Sequence, residues 1–103
     1  MTDIRQHTHR QPESLIKSAV KQFLQLGGWF VFPIVQSALS YKGIADLCAV
    51  REGHTVWVEI KTATGVQSGW QEQFEADVTA HGGEYIVARS TADVAHLCEC
   101  LRI

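Results

Sequence analysis

A surplus of positive charge is what this chain most conspicuously lacks: nine lysines and arginines stand against eleven acids, for a net charge of −2. Domains that hold nucleic acid by bulk electrostatics carry a clear basic excess, so any contact with a polyanion has to be local. Cysteine is scarce and odd in number, with Cys48, Cys98 and Cys100 the only three. The last two lie two apart in a helical segment, where side chains diverge, and no disulfide framework is expected. Long apolar runs are missing as well. Nothing approaches the roughly 18 consecutive apolar residues of a membrane span. Residues 1–11 are polar rather than charged-then-apolar as in an export signal, which leads to the expectation of a cytoplasmic protein with no membrane partner. Internal repeats and linkers are also lacking.

What is present is enough for one domain. With 103 residues and 46% hydrophobic content, the chain can bury a real core but not two. Residues 1–11 are expected to form a flexible arm and residues 12–103 the domain. Pro12 suits the first turn of a helix, and Leu15, Ile16, Ala19, Val20, Phe23 and Leu24 recur at helical spacing until Gly27 and Gly28 stop it. Glu13 counts onto the side of Ile16, Val20 and Leu24, which places this acid at the end of the buried stripe. A favourable interaction with the helix dipole would account for it equally well. Residues 29–34 read as a strand, with Pro33 marking an edge. Ser68 and Gln71 fit a capping box for a second helix with Trp70, Phe74 and Val78 as its buried stripe and Gly82-Gly83 as its stop. Residues 85–88 read as a short strand, and Ser90 with Asp93 caps a last helix bearing Val94, Leu97, Cys98 and Leu101. The order αβββαβα asks for an α/β fold, a mixed central sheet flanked by helices.

The chemistry concentrates between residues 43 and 61. Residues 48–50 and 55–60 are rich in β-formers, and Arg51-Glu52-Gly53-His54 reads as a tight turn between them. With Glu52 and Gly53 at its centre, Arg51 faces His54, Val50 faces Thr55, Cys48 faces Trp57, and Asp46 faces Glu59. Directly opposed residues have Cβ atoms roughly 4.5–5.5 Å apart, and the period of two puts Lys61 on the face of Glu59. Like charges so placed repel unless something positive lies between them, and a divalent cation fits that need. Leu47, Ala49, Val56, Val58 and Ile60 make one apolar face, while Cys48, Val50 and Trp57 continue the acidic one. Burying two acids and a lysine at one end is costly without mutual compensation or a metal. Taken singly, Asp46 could merely end a strand and Glu59 with Lys61 could be a solvated edge pair. The combination is more specific than its parts.

Glu13, Gly43-x-x-Asp46-Leu47, Glu59-x-Lys61, Gly65 and Ser68-x-x-Gln71, on this order of elements, resemble the VRR-NUC (virus-type replication-repair nuclease) domain of the PD-(D/E)XK superfamily. The resemblance runs from about Glu13 to Arg89 and departs at Ala45, where the family usually has proline. It implies a restriction-endonuclease-like core and metal-assisted phosphodiester hydrolysis. Asp46, Glu59 and the backbone carbonyl of Ile60 would hold Mg²⁺ or Mn²⁺, because hard oxygen donors select hard cations. Lys61 would position the attacking water, Glu13 would complete the site directly or through water, and Gln71 would approach from the second helix. Members consisting of this domain alone resemble Holliday-junction resolvases, which implies a homodimer cutting branched, four-way DNA. Trp29, Phe30 and the last helix are candidates for the dimer contact.

Lys42, just before the acidic site, and Lys17 and Lys21, one helical turn apart, are candidate nucleic-acid contacts, together with Arg5, His7, His9 and Arg10 in the arm. Solvated charge explains all but Lys42 equally well. Two other readings compete. A non-catalytic nucleic-acid-binding module of the same fold would show gaps in the set of acids and lysine, and none is visible. A zinc protein would use His96, Cys98 and Cys100, or His7 and His9, but neither cluster has the paired spacing of a structural zinc site.

Overall fold

In the computed structural model, residues 11–101 are described, with side chains from 11 to 98. The arm with Arg5, His7, His9 and Arg10, and the side chains of Cys100 and Leu101, lie outside the described residues. Helix α1 spans Glu13–Leu26 and is followed by strands β1 (Phe30–Pro33), β2 (Leu47–Arg51) and β3 (His54–Ile60), helix α2 (Gly69–Ala80) and strand β4 (Glu84–Ala88). The chain then enters a 3-10 helix over Thr91–Leu101. The four strands form one mixed sheet in the order β1-β2-β3-β4. The first two pairings are antiparallel and β3 pairs with β4 in parallel, so α2 is the crossover that a parallel pair requires.

The hairpin has the register its turn residues specify. Leu47 pairs with Val58, Cys48 with Trp57, Val50 with Thr55 and Arg51 with His54. Glu52 and Gly53 both take positive φ, 52° and 81°, the combination that lets a two-residue turn follow the twist of its strands. Alternation then divides the core in two. Ile16, Val20 and Leu24 of α1 and Val94 and Cys98 of the 3-10 helix cover Val31, Leu47, Ala49, Val56, Val58, Ile60 and Ala88 on one face. On the other, Phe74 of α2 meets Tyr85 and Ala45, with Trp57 and Val87 alongside. The acid face is therefore the α2 face.

Four features differ from the sequence expectations. Glu13 is exposed, because it opens α1 one turn before Ile16, the first residue of the helix that the core covers. Leu15, on the flank of the same stripe, is exposed too. Trp70, expected in the buried stripe of α2, is 59% exposed, whereas Phe74 on the next turn is buried. The last helix is wound as a 3-10 helix, which stacks residues three apart and so turns Val94 and Leu97 together toward the core. The indole of Trp29 donates to the Leu97 carbonyl at 3.1 Å. Cys48 and Cys98 are buried, and the Cys98 thiol donates to the Phe23 carbonyl at 3.9 Å. Among the described residues no helix is long and apolar enough to cross a membrane.

Candidate active site

At the end of the sheet where β2 begins and β3 ends, the backbone itself builds the first part of the site. The Asp46 amide donates to the Val58 carbonyl at 3.1 Å, the residue that Leu47 already faces, so the strict register ends at Leu47 and Asp46 enters with a one-residue offset, as in a β-bulge. The Ile60 amide donates to Asp46 Oδ2 at 2.7 Å. Asp46 is thus tied at its backbone and its side chain to the last turn of β3, leaving its other carboxylate oxygen to face away from that bond. Within a strand the N–H and C=O of one residue project from the same edge, so the Ile60 carbonyl lies on the Asp46 side.

Glu59 is the buried member, at 1% exposure the one charged residue in the core among the described residues. Its Oε2 accepts from Gln71 Nε2 at 2.6 Å and lies 3.5 Å from the Lys61 ammonium. Its Oε1 is buried without a hydrogen-bond partner. Burial first, and then the neighbouring Asp46 charge, push the Glu59 carboxyl up from 4.5 to about 7, while Lys61 pulls it back only in part. A buried acceptor with no donor is costly, and here it stands beside a second carboxylate. Two oxygens of hard character and an adjacent backbone carbonyl suit a divalent cation of the Mg²⁺ or Mn²⁺ kind. Asp46, Glu59 and Ile60 fit such an ion. No group of three or more His, Cys, Asp or Glu side chains able to hold a metal occurs among the described residues; Glu13 does not join the pair, and His96 with Cys98 forms no such group.

Gln71 does two things with one amide. Its Oε1 accepts from the Ser68 amide at 2.9 Å while Ser68 Oγ accepts from the Gln71 amide at 3.2 Å, closing the capping box. Its Nε2 is then aimed at Glu59. The helix start that fixes this geometry is itself held by Gly43. A Cβ at that position would lie 2.2 Å from the Trp70 carbonyl oxygen, and the residue has φ of 81°. Only glycine permits so close an approach in that conformation. Gln36 Nε2 donates to the Ile44 carbonyl at 3.1 Å and reaches Ala45 at 3.4 Å, which fastens the approach to Asp46 where proline is absent.

Two residues that carry no motif support the far side. Arg89 Nη1 donates to the carbonyls of Thr62 and Gly65 at 2.6 and 2.7 Å, pinning the loop that leaves Lys61. The Tyr85 hydroxyl accepts from Gln67 at 3.1 Å, and its pKa is raised by burial and by the Glu59 charge. Neither belongs to a recognisable spacing, because the partners of both lie on the loop between β3 and α2, far away in sequence. Lys42 holds its ammonium 5.0 Å from the centre of the Trp70 ring. Lys17 and Lys21 lie half-exposed on α1, whose core contacts are with the opposite face of the sheet. No family model matches the chain, and no curated protein or solved structure matches it.

Proposed function

We propose that the protein is a divalent-metal-dependent nuclease that hydrolyses phosphodiester bonds in DNA, with the VRR-NUC-like, restriction-endonuclease-like arrangement that its motifs resemble. The observation that carries the reading is the buried, partnerless Oε1 of Glu59 beside Asp46, with the Lys61 ammonium 3.5 Å from the other oxygen. Asp46, Glu59 and the Ile60 carbonyl would hold Mg²⁺ or Mn²⁺. Such an ion lowers the pKa of bound water and stabilises charge developing on phosphate oxygens. Lys61, largely buried and held by Glu59, presents a fixed positive charge to a phosphate and orients the water. Gln71 holds Glu59 in the rotamer the site requires. Glu13, exposed at the start of α1, contributes through water, and Glu13→Gln is expected to be milder than any change at Asp46 or Lys61. The substrate is branched or four-way DNA, and the acting form a homodimer.

Labelled linear, flapped and four-way DNA incubated with the protein, with and without Mn²⁺, tests this directly. Cutting should require the cation and favour the branched forms. Asp46→Ala and Lys61→Ala should leave the circular dichroism spectrum unchanged and lower the rate by roughly a hundredfold or more, the scale of losing one preorganised electrostatic group. Cutting by Lys61→Ala at the wild-type rate would remove the assignment.

A further inference from the structure

On the other side of the α2 start lies a cleft that the carboxylate site does not use. Its volume is about 340 Å³ and its walls are Ser40, Tyr41, Lys42, Trp70, Gln73 and Phe74. Phe74 forms the floor and is buried, whereas Tyr41 and Trp70 are 63% and 59% exposed. Tyr41 leans on Phe74 with ring centroids 5.9 Å apart, and Lys42 covers part of the indole. The backbone under Trp70 is unusually well fixed, since the Gly43 contact and the capping box both act there. A large indole shown to solvent on a rigid turn gains nothing for folding by its exposure. Two flat rings, an ammonium, a hydroxyl and a carboxamide together make a site for a flat heterocycle carrying negative charge.

The cleft is also joined to the carboxylates by the shortest possible links. Trp70 precedes Gln71, which holds Glu59, and Lys42 precedes Gly43 at the head of the loop that delivers Asp46. We propose that this cleft receives an unpaired nucleobase next to the phosphate held at Asp46 and Glu59. The base stacks on Trp70, with Tyr41 as the second wall, and Lys42 moves from the indole to the adjoining backbone phosphate. Stacking on an aromatic ring accepts any base, because every base has a π face, so the cleft reads strandedness rather than sequence. A base paired within a continuous duplex cannot enter it. The position of the cleft beside a scissile phosphate rests on the nuclease reading above, but the binding itself does not.

The test separates the two. The full-length chain is titrated in EDTA, where no cutting occurs, against a short fluorescein-labelled oligothymidylate and against a labelled duplex, with fluorescence anisotropy as the readout. Wild type should prefer the single strand. Trp70→Leu, which keeps apolar bulk without a ring, should weaken oligothymidylate binding roughly tenfold, the scale of one lost stack, and leave duplex binding unchanged. Trp70→Phe should retain most of the affinity. Equal oligothymidylate binding by wild type and Trp70→Leu overturns the proposal, as does an equal loss by the leucine and phenylalanine variants. If wild type cuts no DNA with Mn²⁺ while Trp70→Leu still loses the single strand, the nuclease reading falls and the base site stands. If cutting occurs and Trp70→Leu binds like wild type, the outcome is reversed.

Discussion

Glu59 sits where two demands on an acid oppose each other, for its burial and the Asp46 charge favour the protonated form while the Lys61 ammonium calls for the charged one. The carboxyl titrates near 7 rather than 4.5, so the folded state binds this proton more tightly than the unfolded chain does. The stabilisation that proton confers is complete below about 4.5 and is lost as the pH rises through about 7. In EDTA, then, wild type should lose stability across that interval relative to Glu59→Gln, by about 3 kcal/mol at most from the size of the shift. Chemical denaturation at several pH values checks this, and parallel curves for the two proteins would contradict it. Addition of Mn²⁺ above pH 7 should raise the melting temperature of wild type and not of Glu59→Gln, since an ion that binds only the folded state stabilises it by mass action. At this scale the sequence was most legible where charge alternates along a strand: Lys61 stands beside Glu59 as the period of two requires, and Asp46 comes close enough to raise the Glu59 carboxyl, although its amide bonds to Val58 rather than continuing the register to Glu59. Glu13 was misjudged because helical spacing gives the side a residue faces and not how far the covering sheet extends.

Helix α2 is an element whose first turn serves the fold and the site together, and Gln71 allows the two to be pulled apart. Gln71→Glu keeps an oxygen for the Ser68 amide but sets a carboxylate against Glu59, so helix capping should survive while metal binding and cleavage fall. Ser68→Ala should do the converse, costing about 1 kcal/mol of stability with the Glu59 contact still in place. Isothermal titration with Mn²⁺ and thermal melts on both variants distinguish the roles. Gly43→Ala should be more damaging than either. A Cβ at 2.2 Å from the Trp70 carbonyl cannot be relieved by rotating a side chain, and the positive φ adds strain, for a loss of about 2 kcal/mol or more together with lower activity. Gly43 and the capping box were both visible in the sequence, but the contact between them was not. Spacing reports neighbours along one element, whereas Trp70 and Gly43 meet because the loop and the helix converge from separate parts of the chain. The same limit hid Arg89, whose partners lie on the loop after β3, and the exposure of Trp70.

The whole molecule is slightly acidic, which distinguishes it from binders that rely on a basic surface. With Lys42 and Lys61 as the lysines beside the site among the described residues, few phosphates are neutralised, and the logarithm of the DNA affinity should fall with the logarithm of salt at a slope of about −2. Lys42→Gln should reduce the magnitude of that slope by about one. A slope several times steeper would mean that contacts far from this end of the sheet dominate. The mixed sheet was readable from the order of elements, because a helix between two strands of one sheet calls for a parallel pair. The 3-10 winding of the last helix was not, since Ser90 and Asp93 cap either kind of helix alike.

Asp46, Glu59 and Lys61 share a local hairpin, but the cover over them arrives only when α2 has crossed and β4 has docked beside β3. Local contacts close before distant ones, so the charged end of the hairpin stays wet while the rest of the sheet assembles. Drying that end therefore follows closure of the hairpin, and pulsed hydrogen exchange should find the amides of residues 59 and 60 protected later than those at the turn.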